Sequence, residues 1–393
     1  MESISAKLLA HCLEGTHWPE ELIDEIVRRP DLQAGFFREV VEPLSDLFEP
    51  RLCDVYAELM SEVIGRLLPD DLHGPHLAAR YRRVRKGRRF DGEAASIEHV
   101  FVLSRVTLGA DVAITSVLLD AAKQLFPAAE IHFVGPTKNW ELFAADRRLR
   151  HVAANYVRAA TIGGRLKVWP ELREALSRAN SIVIDPDSRL TQLGLLPVCF
   201  EDDYYFFESR SYATASEEPL SQLAARWAHE TFAIADAKPY IATGLPTPEF
   251  AATVSFGVGE NPDKRLPAQV EAELLKRLPS PMLIDRGAGG EEAARVEHAV
   301  KESGVDAQMW DGSFAGFASH IAQSRLYVGY DSAGGHVAAA CGIPQISIFG
   351  GVPCDRFFHR WRPSGAGATR VIRVAPQTDP WPAILEALPH REI

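Results

Sequence analysis

The stretch DSAGGH, residues 331–336, places an acid, a hydroxyl, two glycines and a histidine between an apolar β-rich run, LYVGY, and an apolar helical run, VAAACG. Packing alone would ask for none of them. The start of a helix presents unpaired N–H groups and the positive end of the helix dipole, and glycine lets an anion approach the backbone closely. Ser332 offers a hydroxyl donor, Gly334 and Gly335 offer close approach, and His336 offers a further donor, so the stretch could hold a phosphate at the carboxyl end of a parallel strand. In the plainer alternative Asp331 or Ser332 only caps the helix and His336 is a satisfied buried histidine.

Two other groups have suggestive chemistry. Lys264 and Arg265 follow a glycine-bearing turn after the run TVSFGVG, where cations could neutralise a departing diphosphate; as ordinary exposed residues they would simply open a solvated helix. In VIDPDSRLTQLGLLP, residues 183–197, Asp185, Asp187, Ser188, Arg189 and Gln192 crowd the end of a strand. Carboxylate and amide groups suit sugar hydroxyls, and Arg189 with Arg105 suits an anionic acceptor; a polar surface loop is the alternative. The aromatic run in FEDDYYFFESRSY either walls a cleft or is core. A dinucleotide fingerprint fails, since G-x-G-x-x-G would need glycine where Pro262 and Glu292 stand.

These residues need elements to hold them. Apolar positions at helical spacing (Leu22, Ile23, Ile26, Val27, then Val55, Leu59, Val63, Ile64, Leu67) predict an all-helical segment over residues 1 to about 79. A basic run follows, with seven Arg or Lys among the ten residues Arg80–Arg89. It reads as a solvated linker or as a patch for anionic lipid or an acidic partner. From Ser96 onward strands and helices alternate: HVFVLSRV, EIHFVG and SIVIDPD, then, past a break at KPYIATGLPTPEF, TVSFGVG, PMLID, LYVGYD and QISIFG. Such alternation predicts two parallel-sheet, Rossmann-like halves.

With 393 residues, 46% apolar and 24% charged, the chain is of soluble globular type and long enough for two or three domains. Its formal net charge of −11 argues against nucleic acid as a partner. Five scattered cysteines with no C-x-x-C pair signal neither a zinc site nor a disulfide framework, which fits a cytosolic location. No run approaches the length of a membrane span, and the opening MESISAKLLAHCLEG is a poor signal peptide.

The segment VGYDSAGGHVAAACGIPQISIFG, residues 328–350, resembles the hallmark D-S/T-G-x-x-H-x-A-A-x-x-x-P-x-x-x-x-F/Y-G of glycosyltransferase family 9, the ADP-heptose:lipopolysaccharide heptosyltransferases. TVSFGVGENPDKRLPAQVEAELLKRL and LGADVAITSVLLDAAKQLFPAAEIHFVG are similar to two further family motifs in the same order, so that the resemblance spans roughly residues 98 to 390. It implies a GT-B fold: an acceptor domain over residues 93–243 and a nucleotide-sugar donor domain over 244–393, preceded here by a helical extension over 1–92 ending in the basic linker. It implies Asp111 as general base, where a helix cap is the alternative reading. The donor diphosphate is then assigned to Lys264, Arg265, Ser332, Ala333, Gly334, Gly335 and His336, and the donor nucleoside to Gly257, Glu291, Glu292 and Asp331. The acceptor is assigned to Arg105, Asp187, Ser188, Arg189 and Gln192. This chain departs from the family in Ala110, which separates Gly109 from Asp111, in Leu266 for the usual Trp, and in Ala333 for Gly.

The expected activity is inverting, metal-independent transfer of a sugar from a nucleotide-diphosphate donor to a hydroxyl on a saccharide, glycolipid or protein, with no cofactor. D-P-D at 185–187 lies away from the expected diphosphate. A catalytically degenerate nucleotide-sugar or glycan binding module and a GT-B epimerase or hydrolase are the alternatives. The expected location is cytoplasmic, with peripheral membrane contact through Arg80–Arg89 as a further possibility.

Overall fold

A computed structural model describes residues 3–68, 72–157, 161–245, 247–258, 261–287, 289–375 and 377–388. Positions 259–260 and 288 of the glycine-bearing turns, and the outermost residues 1–2 and 389–393 of the expected domain ranges, lie outside the described residues.

Two parallel sheets form the frame. The first contains β1 (His99–Leu103), β2 (Glu130–Gly135), β3 (Leu149–Ala153), β4 (Ser181–Asp185) and β5 (Tyr204–Phe206) in the order β3-β2-β1-β4-β5. The second contains β6 (Ala252–Ser255), β7 (Met282–Asp285), β8 (Ala307–Trp310), β9 (Tyr327–Tyr330), β10 (Gln345–Phe349) and β11 (Thr369–Arg373) in the order β11-β10-β9-β6-β7-β8. The central strands are buried along almost all of their length because helices cover both faces of a parallel sheet. In each sheet the strand order reverses beside the first strand. One reversal lies between β1 and β4, paired Val102 to Ile184, and the other between β6 and β9, paired Ser255 to Gly329. Open α/β sheets bind ligands outside the carboxyl ends of the strands at such points.

The expected helical extension is present and has no core to itself. Helix Pro50–Leu67, with proline in its first turn, buries Cys53, Tyr56, Ala57, Met60, Val63 and Ile64 at helical spacing. Tyr56, Ala57, Met60, Val63 and Ile64 share one core with Leu8, Ile23, Ile26 and Phe36 from the preceding helices, and with Phe101, Leu103, Val134 and Val183 from one face of the first sheet. The opposite face, through Val100, Val102, Phe133 and Ile184, shares a core with Tyr327, Val337 and Ala338 of the second half, so the two halves meet across apolar contact.

Much of the basic run is paired within the chain. Its first part is helical, within helix Gly74–Val84. Arg80 is buried, donates to the Gly194 carbonyl at 2.8 Å and lies over the Tyr204 ring. Arg83 forks onto Glu201, Arg82 pairs with Glu58, and Arg85 reaches Asp54 and Glu208. Arg80, Arg83 and Arg85 therefore tie the extension to the first half. No helix among the described residues is long and apolar enough to cross a membrane.

Candidate active site

Most residues singled out from the sequence fall on four loops, those following β1, β4, β6 and β9, which are the loops of the two switch points. Glu291 and Glu292 instead open the helix after β7. Between the halves lies a cavity of about 690 Å³. Its walls come from three parts of the chain. Phe37, Arg38, Val41, Glu42, Ser45, Asp46, Phe48 and Tyr56 belong to the extension; Arg105, Thr107, Tyr156, Arg165, Arg189, Gln192 and Arg210 to the first half; and Val258, Asn261, Lys264, Gly351, Phe357 and Trp361 to the second. Of the sequence candidates, Arg105, Arg189, Gln192 and Lys264 line this cavity.

Asp111 does not. After Leu108–Ala110 the helix widens into a π turn over Asp111–Thr115, in which the Ser116 amide bonds back to the Asp111 carbonyl. The Asp111 side chain is 0% exposed. Its Oδ1 accepts from the Arg105 amide and the Thr115 hydroxyl, each at 2.7 Å, and its Oδ2 from Ser104 Oγ and Asn139 Nδ2, each at 2.6 Å. Burial raises its pKa while these four donors work to lower it. The carboxylate thereby fixes the loop that carries Arg105.

Asp187 and Ser188 also stand behind the wall. Asp187 is buried, accepts from Arg210 Nε at 3.2 Å and Ser209 Oγ at 3.1 Å, and lies 3.5 Å from Arg105 Nη2. It aims the two guanidiniums. Ser188 donates to the Ser104 carbonyl at 2.5 Å and accepts from the Leu190 amide, joining the two switch-point loops of the first sheet. Asp185 accepts from Thr191 Oγ1 and Tyr204 OH, each at 2.5 Å.

On the second sheet, Lys264 Nζ donates to Asp331 Oδ2 at 2.6 Å, linking the cavity wall to the loop after β9. Neither Asp331 nor Ser332 caps helix Ala333–Ala340 with its side chain, so the capping alternative does not account for these residues. The glycines also have a packing reason. A Cβ on Gly334 would collide with the Tyr327 hydroxyl, and one on Gly335 would lie 3.3 Å from Gln345 Oε1, so packing against β9 and β10 explains their lack of side chains. His336 is buried, and burial pushes its pKa down to about 4. It is therefore neutral near pH 7 and can offer one N–H but no charge. The helix start is covered, because a Cβ on Gly109 would lie 3.2 Å from both Ala333 Cα and His336 Cδ2. Glu292 Oε1 accepts from the Val258 amide at 2.9 Å beside Gly257, whereas Glu291 is exposed and 3.7 Å from Arg265.

Sequence reasoning passed over Asp46, Arg38, Arg165, Arg210 and Trp361. None belongs to a motif, and each reaches the cavity only through tertiary folding. Trp361 stands 6.0 Å from the Arg105 guanidinium and 6.0 Å from the His336 ring. Among the described residues one group has metal-ligand character, His99, Glu130 and His132, at the opposite end of the first sheet from the cavity.

Two facing Rossmann-like domains with a cleft between their switch points define the GT-B class. Residues 287–374 match the family model of glycosyltransferase family 9 (heptosyltransferase), and the fold of the chain is GT-B. This match covers the segment from the turn before helix Gly290–Ser303 to β11, a narrower span than the motifs in the sequence suggested. Among solved structures the chain is similar to Escherichia coli heptosyltransferase WaaC with ADP, at 16% identity over 74% of this chain and 99% of that one, with a TM-score of 0.55. It is also similar to a glycosyl transferase family 9 protein from Veillonella parvula, at 17% identity over 72% and 88% of the two chains, with a TM-score of 0.51. No curated protein matches the sequence.

Proposed function

We propose that the chain transfers a sugar from a nucleotide-diphosphate donor to the hydroxyl of an anionic acceptor, with inversion and without a metal. The observation that carries this reading is that the family-matched segment holds the β9 side of the second sheet's switch point, beside a cation-rich cavity between the halves. The solved relatives support the donor class, since WaaC was captured with ADP and with ADP-2-deoxy-2-fluoro heptose.

In this reading Lys264 exchanges Asp331 for the diphosphate, and Arg265 with the backbone amides of Ser332, Ala333, Gly334, Gly335 and His336 completes the anion site. Gly257, Glu291, Glu292 and Asp331 hold the nucleoside. Charge growing on the leaving diphosphate is met by the ammonium and the helix dipole, which are in place before the reaction begins. Because Gly109 covers the helix start, donor entry needs the two halves to part, and their return excludes water. Arg105, Arg189 and Gln192 hold the acceptor, joined by Arg38, Arg165 and Arg210. So many guanidiniums favour a carboxylate- or phosphate-bearing acceptor.

The test begins with a thermal-shift screen of ADP-, GDP-, UDP- and dTDP-sugars, since a ligand of the folded state stabilises it by mass action. Nucleotide release is then measured with neutral and anionic acceptors. Release that depends on an anionic acceptor is the expected result; release that needs no acceptor would reassign the chain to donor hydrolysis or epimerisation. The enclosure of Asp111 favours a second reading, a binding module that holds the donor without turnover, which predicts a thermal shift and no release from any pair.

A further inference from the structure

We infer that the carboxylate of Asp46, carried into the cleft by the helical extension, takes the acceptor's proton, an assignment that rests on the transfer reading above. Inverting displacement needs a group beside the attacking hydroxyl that can take its proton, and a carboxylate can fill that role. Asp111 has every lone-pair direction filled from within the chain and does not line the cavity. Among the described residues the cavity wall holds two carboxylates, Glu42 and Asp46, both from the extension. Among the described residues the side chain of Asp46 makes no hydrogen bond or ion pair, so its lone pairs are available to a ligand.

Its backbone is held where the three parts of the chain meet. Asp46 ends the short helix Glu42–Asp46 that follows a second π turn, Phe37–Val41. The Asp46 and Leu47 carbonyls lie 3.9 and 4.0 Å from Cys354 Sγ, and the Phe48 carbonyl accepts from Arg356 Nη1 at 2.6 Å. Phe48 is buried, with φ 54°, and its ring packs on Phe357 of the donor half. The extension thus bridges the cleft and sets this carboxylate between the acceptor-side arginines and the donor-side lysine. Charged groups acting on it are Glu42 from its own helix, Arg105 and Arg189 from the first half, and Lys264 from the second. Burial, followed by Glu42, raises its pKa to about 6 against the pull of the three cations, which places a base close to working pH.

In the step itself the acceptor oxygen bonds to the anomeric carbon as the bond from that carbon to the diphosphate oxygen breaks. The bonding pair leaves with the diphosphate, and the hydroxyl proton passes to Asp46.

The test compares wild type, Asp46→Asn, Asp46→Glu and Asp111→Asn on the donor–acceptor pair that gives the most nucleotide release, with the thermal shift produced by ADP as the control for folding and the donor site. Asp46→Asn is expected to keep the ADP shift, to lose about 10²- to 10⁴-fold in kcat, and to lose the acid limb of the kcat/KM profile. Asp46→Glu should recover part of the rate. An Asp46→Asn enzyme with kcat within about threefold of wild type, or with its acid limb intact, overturns the inference and leaves the transfer reading standing. A wild type that releases no nucleotide with any acceptor overturns both.

Discussion

Asp111 is a buried carboxylate and Asp46 a half-buried one, their surroundings are opposite, and substitution should separate them. Replacing Asp111 by Ala strands four donors in the interior, each costing about 1–3 kcal/mol when unpaired. We expect Asp111→Ala to lose at least about 3 kcal/mol in urea unfolding, with Asp111→Asn intermediate; a loss below about 1 kcal/mol would show that the donors find other partners. Asp46 behaves the other way. Its pKa of about 6 in the folded chain lies above the unfolded value, so its ionised form destabilises the fold, and that cost grows as pH rises through 6. Asp46→Asn should therefore raise Tm at pH 7.5, and the gain should shrink toward zero as pH falls to 4. A gain independent of pH would mean that charge is not its source. Asp111 is visible in the sequence through the motif around it. Asp46 is not, because the feature that distinguishes it is a set of cations arriving from residues 105, 189 and 264.

At the scale of elements, seven of the strand runs read from the sequence correspond to β1, β2, β4, β6, β7, β9 and β10. The four left unread, β3, β5, β8 and β11, are the edge strands of the two sheets. β3, β8 and β11 are only partly buried, so polar residues interrupt the apolar run, and β5 is three residues long. Burial on both faces is what makes a strand legible. The π turns were illegible for a different reason, since a single residue added to a helical turn leaves the apolar pattern almost unchanged. The glycines of residues 334–335 have a packing cause that the sequence could not separate from the expected one, because close approach by a ligand and close approach by Tyr327 or Gln345 leave the same letter in the sequence. Gly334→Ala tests that cause. The added methyl meets a buried tyrosine ring in a packed core, and a loss of about 1–3 kcal/mol is expected in urea unfolding. No loss would mean that the helix can shift away from β9.

For the molecule as a whole, the extension acts at once as core, as clamp and as cavity wall. A chain beginning at residue 93 would bare Phe101, Leu103, Val134 and Val183 to water. It should elute as aggregate in size-exclusion chromatography, and a monodisperse fragment would show that the first sheet stands alone. The same partnership puts the cavity's charge at odds with its surroundings. The chain carries a formal charge of −11, yet Arg38, Arg105, Arg165, Arg189, Arg210 and Lys264 outnumber Glu42 and Asp46 on the cavity wall. An incoming anion is thus turned away by the hull at long range and drawn in at the throat. Counter-ions screen distant charges more than enclosed ones, so moderate salt should speed the capture of such a ligand while loosening its grip.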